Sequence, residues 1–187
     1  MAMDIELFLR KPRLDDEHAF LEMIDEWNTE GSRINPGIMR IGAKESYAAW
    51  YERYLAQLDP ETCPKGAVPN QLFYLVAGDG SIHGGCSLRG QVEPLGSRQP
   101  SDDMYRIGGH VAYGIRPASR GKGYGTVQLQ LLMAYCRKQD PPWQRLLLTC
   151  HPENSASRGV ILHCGGEYMD TVLDEQGIER QRYWIYL

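Results

Sequence analysis

Apolar residues fall along this chain in two rhythms: alternate or continuous positions in short runs, and every third or fourth position in longer ones. The first predicts strands, the second helices with one buried stripe. Ile5 to Lys11 reads as a strand. Asp15 or Asp16 can cap a helix on which Phe20, Leu21, Ile24 and Trp27 share a face. Residues 31–42 are polar, contain Gly and Pro, and predict a loop. Lys44 to Leu58 then carries Tyr47, Trp50, Tyr51, Tyr54, Leu55 and Leu58 in one helical stripe, which reads as core more readily than as a ligand surface. Leu72 to Ala77 and Ile82 to Arg89 predict two strands joined at Gly78-Asp79-Gly80-Ser81. Val92 to Asp103, rich in Pro, Ser and Gly, predicts an exposed loop.

Ile107 to Arg116 predicts a strand with Val111, Tyr113 and Ile115 on one face. A helix to Lys138 follows, apolar on two sides, so it should lie against a sheet and be covered on its other side. Arg145 to Cys150 reads as a buried strand. Asn154 can cap a short helix with Val160, Ile161 and Cys164 inward, stopped by Gly165-Gly166. Two strands flanking residues 174–177 end the chain. No internal repeat and no dividing linker is present, which predicts one domain over residues 1–187.

Between the predicted strand and helix lies Arg120-Gly121-Lys122-Gly123-Tyr124-Gly125, leading into Thr126. Its alternate glycines leave bare backbone, so amide N–H groups can converge on one point. The first turn of the following helix has unpartnered N–H groups and the positive end of the helix dipole. Arg120 and Lys122 add two cations. The combination predicts a pyrophosphate cradle. It is not a P-loop, because Lys122 is followed by Gly123 and not by a hydroxyl residue, and the glycine spacing is not GxGxxG.

Composition narrows the partners. A net charge of -4 and a pI near 5.7 argue against nucleic acid. No apolar run approaches the ~18 residues of a membrane span. The N-terminus lacks the order of a signal peptide, and the five cysteines are odd in number with no CxxC pair. These features predict reduced thiols and a cytoplasmic location.

Arg120-x-x-Gly123-x-Gly125 resembles the acetyl-CoA loop of the GNAT (Gcn5-related N-acetyltransferase) superfamily, whose signature is Arg/Gln-x-x-Gly-x-Gly/Ala. Ile115-Arg116-Pro117 is similar to the hydrophobic-x-Pro ending the family's fourth strand. The order of strand, two helices, three strands, helix, strand, helix and two strands matches that fold as well. Asn154-x-x-Ser157 and Gly165-Gly166 resemble its last helix. Together with the His110 to Pro117 stretch, they look like a branch known mainly as predicted acetyltransferases. The resemblance implies an α+β fold, with a central mixed, mostly antiparallel sheet of about seven strands flanked by about four helices. It implies acetyl-CoA as co-substrate, no metal, a small-molecule or peptide amine as acceptor, and room for a homodimer. Cofactor contacts carry over to Tyr113, Gly114, Ile115, Arg116, Arg120, Gly121, Lys122, Gly123, Tyr124, Gly125, Thr126, Asn154 and Ser157. By the same resemblance the acceptor site is built from the first two helices and the loops near 31–42 and 91–103.

Direct acetyl transfer also needs a route for the ammonium proton and for the leaving thiolate. His110, near neutrality on the central strand, is the candidate base, set against a purely structural histidine. Between Gln99 and Arg120 the only carboxylates are Asp102 and Asp103. Relatives often carry a tyrosine where this chain has Ile161, so Tyr168, Tyr113 or Tyr183 would have to serve as acid, or the thiolate leaves unassisted; Tyr168 is the candidate carried forward. Nothing basic is spaced to activate Cys150 or Cys164, which argues against an acetyl-cysteine route. The acidic run Asp15, Asp16, Glu17, Glu22, Asp25, Glu26 reads as a solvated helix face more readily than as a site for a cationic amine. A direct N-acetyltransferase is therefore the leading reading, and a non-catalytic acyl-CoA-binding module the alternative.

Overall fold

The computed structural model describes residues 6–64, 68–90 and 107–187. Among these residues seven strands and four α-helices follow one another in the expected order: β1 (Leu7–Arg10), α1 (Glu17–Glu30), α2 (Tyr47–Leu55), β2 (Asn70–Ala77), β3 (Ile82–Arg89), β4 (Val111–Ile115), α3 (Tyr124–Arg137), β5 (Arg145–Cys150), α4 (Ser155–His163), β6 (Glu167–Leu173) and β7 (Glu179–Tyr186). The strands do not make one continuous ladder. They form two antiparallel sheets, β1-β2-β3-β4 and β5-β7-β6, which leave β4 and β5 as facing edges.

Side-chain alternation on β2 divides the first sheet between two cores. Leu72, Tyr74 and Val76 pack with Phe20, Trp27, Trp50 and Tyr54 of α1 and α2. Most of the α2 stripe is therefore core: Tyr47, Trp50 and Tyr54 are at most 1% exposed and Phe20 stacks on Trp50 at 4.5 Å, while Tyr51 and Leu58 pack at the edge and Leu55 is exposed. On the opposite face, Phe73 joins Cys86, Leu88 and Val111 against α3, and the same cluster takes in Leu146, Leu148 and Ile185 of the second sheet. α3 thus lies across both sheets, and α4 packs on it.

Local chemistry sets most boundaries. The Ser46 hydroxyl accepts from Ala49 N–H at 3.2 Å and starts α2 three residues later than expected. Gly31, at φ 75°, ends α1. β4 begins at Val111 and not at Ile107, because Gly109 at φ 65° turns the chain just before it. Ile5, the loop at 91–103 with Asp102 and Asp103, and Arg106 lie outside the described residues. Among the described residues no helix is long and apolar enough to cross a membrane.

Candidate active site

The gap between β4 and β5 is defined by which backbone groups β4 turns toward it. Arg89 N–H donates to His110 O at 2.8 Å, and Arg116 N–H donates to His83 O at 2.9 Å. Antiparallel alternation then directs the carbonyl of His110, the polar groups of residues 112 and 114 and the N–H of Arg116 toward β3, and the polar groups of Val111, Tyr113 and Ile115 away from it. Two of these outward carbonyls have partners. Tyr113 O accepts from Asn35 Nδ2 at 2.5 Å, and Ile115 O accepts from Arg120 Nε at 3.0 Å. The outward N–H groups remain as a strand edge.

The cradle follows at the end of β4. A 3-10 turn over Pro117–Ser119 leads into Gly121 and Gly123, at φ 73° and 77°, backbone that L side chains rarely adopt. Gly123 caps α3, and its carbonyl accepts from both Thr126 and Val127 N–H. Among the described residues, the N–H groups of Gly121, Lys122, Gly123, Tyr124 and Gly125 have no acceptor. Five successive donors at the positive end of a fourteen-residue helix make a strong anion site. Gly125 also serves packing: a Cβ there would stand 3.1 Å from Val160 Cγ2, so glycine lets α4 lie close to the first turn of α3. Thr126 offers only its hydroxyl outward, since its N–H is bonded to Gly123.

Tyr113 links β4 to α4. Its hydroxyl lies 2.9 Å from Ser157 Oγ, and Ser157 N–H donates to the capping Asn154 side chain at 3.0 Å. Burial pushes the Tyr113 phenol up to about 12. The same hydroxyl donates to Ser157 O at 3.2 Å, so it ties β4 to the start of α4. Ile161, at the usual tyrosine position, is 0% exposed in the core.

Several expected roles change. Arg116 is buried, and its guanidinium binds Glu22, Glu26 and Ile82 O. With its N–H on His83 as well, Arg116 ties α1 to the first sheet. The same contact holds the Glu26 carboxyl below its ordinary range. Arg120 pairs with Glu30 at 2.6 Å and so reaches α1 instead of standing free over the cradle. Its glycine neighbours and Lys122, whose ammonium rests on Ala118 O at 3.0 Å, form the exposed part of the loop.

His110 is corrected from base to buried structural group. It is 0% exposed, and its Nδ1 accepts from Leu147 N–H at 2.8 Å. That bond requires the tautomer with the proton on Nε2, so the basic lone pair is already in use. Burial, assisted by the positive charges of Arg89 and Arg145, pushes the imidazole down to about 4. Tyr168 is likewise displaced from the site. It is 57% exposed on the edge strand β6, bonded to Thr171 Oγ1 at 2.9 Å, and it pairs with Tyr183, which pairs with Leu148 of β5. Two strand spacings of ~4.8 Å separate it from β5 on the side away from β4.

Sequence reasoning missed Asn35 and Glu30. Asn35 covers β4 so closely that a Cβ at Gly114 would run into its carbonyl oxygen. No local pattern announces either contact, since the partners lie 78 and 90 positions away. Among the described residues no group of three His, Cys, Asp or Glu side chains is placed to hold a metal ion.

A splayed pair of strands, a glycine anion cradle and a capped helix beside them define an acyl-CoA-type transferase fold. The profile of the family described as "Acetyltransferase (GNAT) domain" matches residues 6–167, and the chain belongs to that family. No curated protein matches the chain. Among solved structures, a protein from Bordetella pertussis assigned to the GnaT acetyltransferase family is similar with TM-score 0.62 and 15% identity, covering 98% of this chain and 97% of that one. Mutant forms of the spermidine/spermine N-acetyltransferase SpeG from Vibrio cholerae align with TM-score 0.57 and 14% identity over 97% and 95% of the two chains. SpeG in complex with manganese ions gives 0.58 and 16% over 97% and 92%. At these identities the likeness is one of fold.

Proposed function

We propose that this chain is an acetyl-CoA-dependent N-acetyltransferase that passes the acetyl group directly to a primary amine. The observation that carries the reading is the row of five N–H groups at residues 121–125, without acceptors among the described residues and set where the free edge of β4 ends. Those donors and Lys122 suit a pyrophosphate, and the outward groups of Val111, Tyr113 and Ile115 suit an extended amide-bearing arm lying as an added strand. Acetyl-CoA supplies a thioester whose carbonyl carbon accepts the amine lone pair as the C–S bond breaks, the surplus proton passing to water and the sulfur leaving as thiolate. A gap-edge N–H of β4 is placed to stabilise the charge on the carbonyl oxygen. Tyr113, Ser157 and Asn154 hold the start of α4 against that edge. With His110 consumed in the core, water is the proton acceptor.

A non-catalytic acyl-CoA-binding module is the second reading, favoured by Ile161 in the tyrosine position and by the engagement of His110. Titration calorimetry with CoA and thiol release from acetyl-CoA over a panel of primary amines separate the two. The panel includes polyamines, because Asp15, Glu17, Glu22, Asp25 and Glu45 line a groove of about 950 Å³ beside α1. Transfer predicts CoA binding that Lys122→Glu weakens about tenfold, together with amine-dependent thiol release. Binding without release selects the module. Absence of CoA binding by the wild-type chain overturns both.

A further inference from the structure

His110 stands at the one place where the described residues of the first sheet reach the backbone of β5 by hydrogen bonds. Its N–H donates to Leu147 O at 2.7 Å, and Leu147 N–H donates back to its ring Nδ1 at 2.8 Å. The imidazole thus acts as the missing half of a strand rung. The rung cannot be continued, because His110 O is turned the other way, to Arg89 of β3. Two neighbours reinforce the contact. A Cβ at Gly109 would stand 2.6 Å from Leu147 O, so only glycine permits the approach, and Thr149 Oγ1 donates to Ile107 O at 2.9 Å. The ring is wedged edge-on against Trp143 at 5.5 Å and near Trp184 at 6.1 Å. Just beyond this point β4 and β5 separate into different sheets.

We propose that His110 is the positioning residue that sets the width of the cofactor gap, closing β4 onto β5 through its own ring so that the two edges diverge from a fixed pivot. The inference rests on the reading that CoA lies in this gap. An arm bound between two strand edges depends on their separation, whereas the cradle at residues 121–125 is held by α3 and is independent of the pivot. Loss of the ring acceptor leaves Leu147 N–H buried without its partner and frees β5 to shift.

The test compares CoA affinity, by titration calorimetry, and melting temperature in three proteins. His110→Leu keeps a similar bulk but has no acceptor, while His110→Asn keeps an acceptor oxygen near the position of Nδ1. The expected result is CoA binding weaker by about tenfold or more in His110→Leu, from the usual cost of an unsatisfied buried donor, and affinity within about threefold of wild type in His110→Asn. A merely structural histidine would lower the melting temperature of His110→Leu while CoA affinity in the folded protein stayed unchanged, and that result overturns the proposal. Equal weakening in both variants overturns it too, because the ring acceptor would not be the cause. If His110→Leu does not fold, Thr149→Val, which removes the neighbouring bond to Ile107, carries the test: weaker CoA binding supports the pivot and unchanged binding overturns it. A wild-type chain that binds no CoA removes the underlying reading as well, and is thereby distinguished from failure of the pivot alone.

Discussion

Acidification from pH 7 to pH 5 should remove about 2 kcal/mol of folding stability through His110 alone, with its magnitude fixed by two pKa values. An unfolded imidazole titrates near 6.5, whereas in the fold burial first, and the charges of Arg89 and Arg145 after it, push His110 down to about 4. Between those values the unfolded chain takes up a proton that the folded chain refuses, so stability falls as pH falls. The loss begins near pH 6.5 and is complete below pH 4. The separation of about 2.5 pH units is worth about 3 kcal/mol in total, of which about 2 kcal/mol falls between pH 7 and pH 5. Carboxylates held low by arginine, such as Glu26 by Arg116 and Asp170 by Arg182, lose their contribution only at lower pH. Urea unfolding followed by tryptophan fluorescence at pH 7, 6 and 5 reads the effect directly. With a slope of about 2 kcal/mol per molar urea, the wild-type midpoint should drop by about 1 M. His110→Asn, which has no titrating group at this position, should lack that component. His83, whose pKa is also lowered by burial, contributes equally to both proteins and cancels in the difference. If wild type and variant lose stability in parallel between pH 7 and pH 5, His110 is not held neutral by the core, and the exclusion of its ring as a base fails with it.

Arg116→Met should destabilise the protein by about 2 kcal/mol in scanning calorimetry, because Glu26 and Ile82 O lose their buried partner while the more exposed Glu22 loses little; a change under about 0.5 kcal/mol would show that α1 is held by packing alone. Cys150→Ala and Cys164→Ala should keep amine-dependent turnover, since both thiols are buried and burial raises their pKa values. Mass spectrometry after incubation with acetyl-CoA should show no acetyl group on either cysteine in the wild type, and a mass gain on one of them would contradict direct transfer.

Local information was sufficient for a large part of this protein. β3 and β5 occupy Ile82–Arg89 and Arg145–Cys150, the spans predicted from apolar runs and turn residues. Asn154 acts as the cap expected of it, because capping needs only a side-chain oxygen within a few residues. The glycine turn was legible for the same reason: its donors, its cations and the helix that follows lie within about ten consecutive residues. What the tertiary structure decided concerns groups whose meaning depends on distant partners. Arg116 and Arg120 look alike as cations beside a cradle, yet contacts made 90 residues away commit both to α1, through Glu26 and Glu30. Gly125 reads as part of an anion nest, and only the fold shows that its missing Cβ also makes room for Val160. His110 had the residue type and strand position of a base. Only the arrival of Leu147, 37 residues later in the chain, takes up its lone pair. Sequence periodicity records which face of an element is buried, because that face repeats along the chain. It carries no record of which distant group meets a given lone pair, and that is what separates a catalytic imidazole from a structural one.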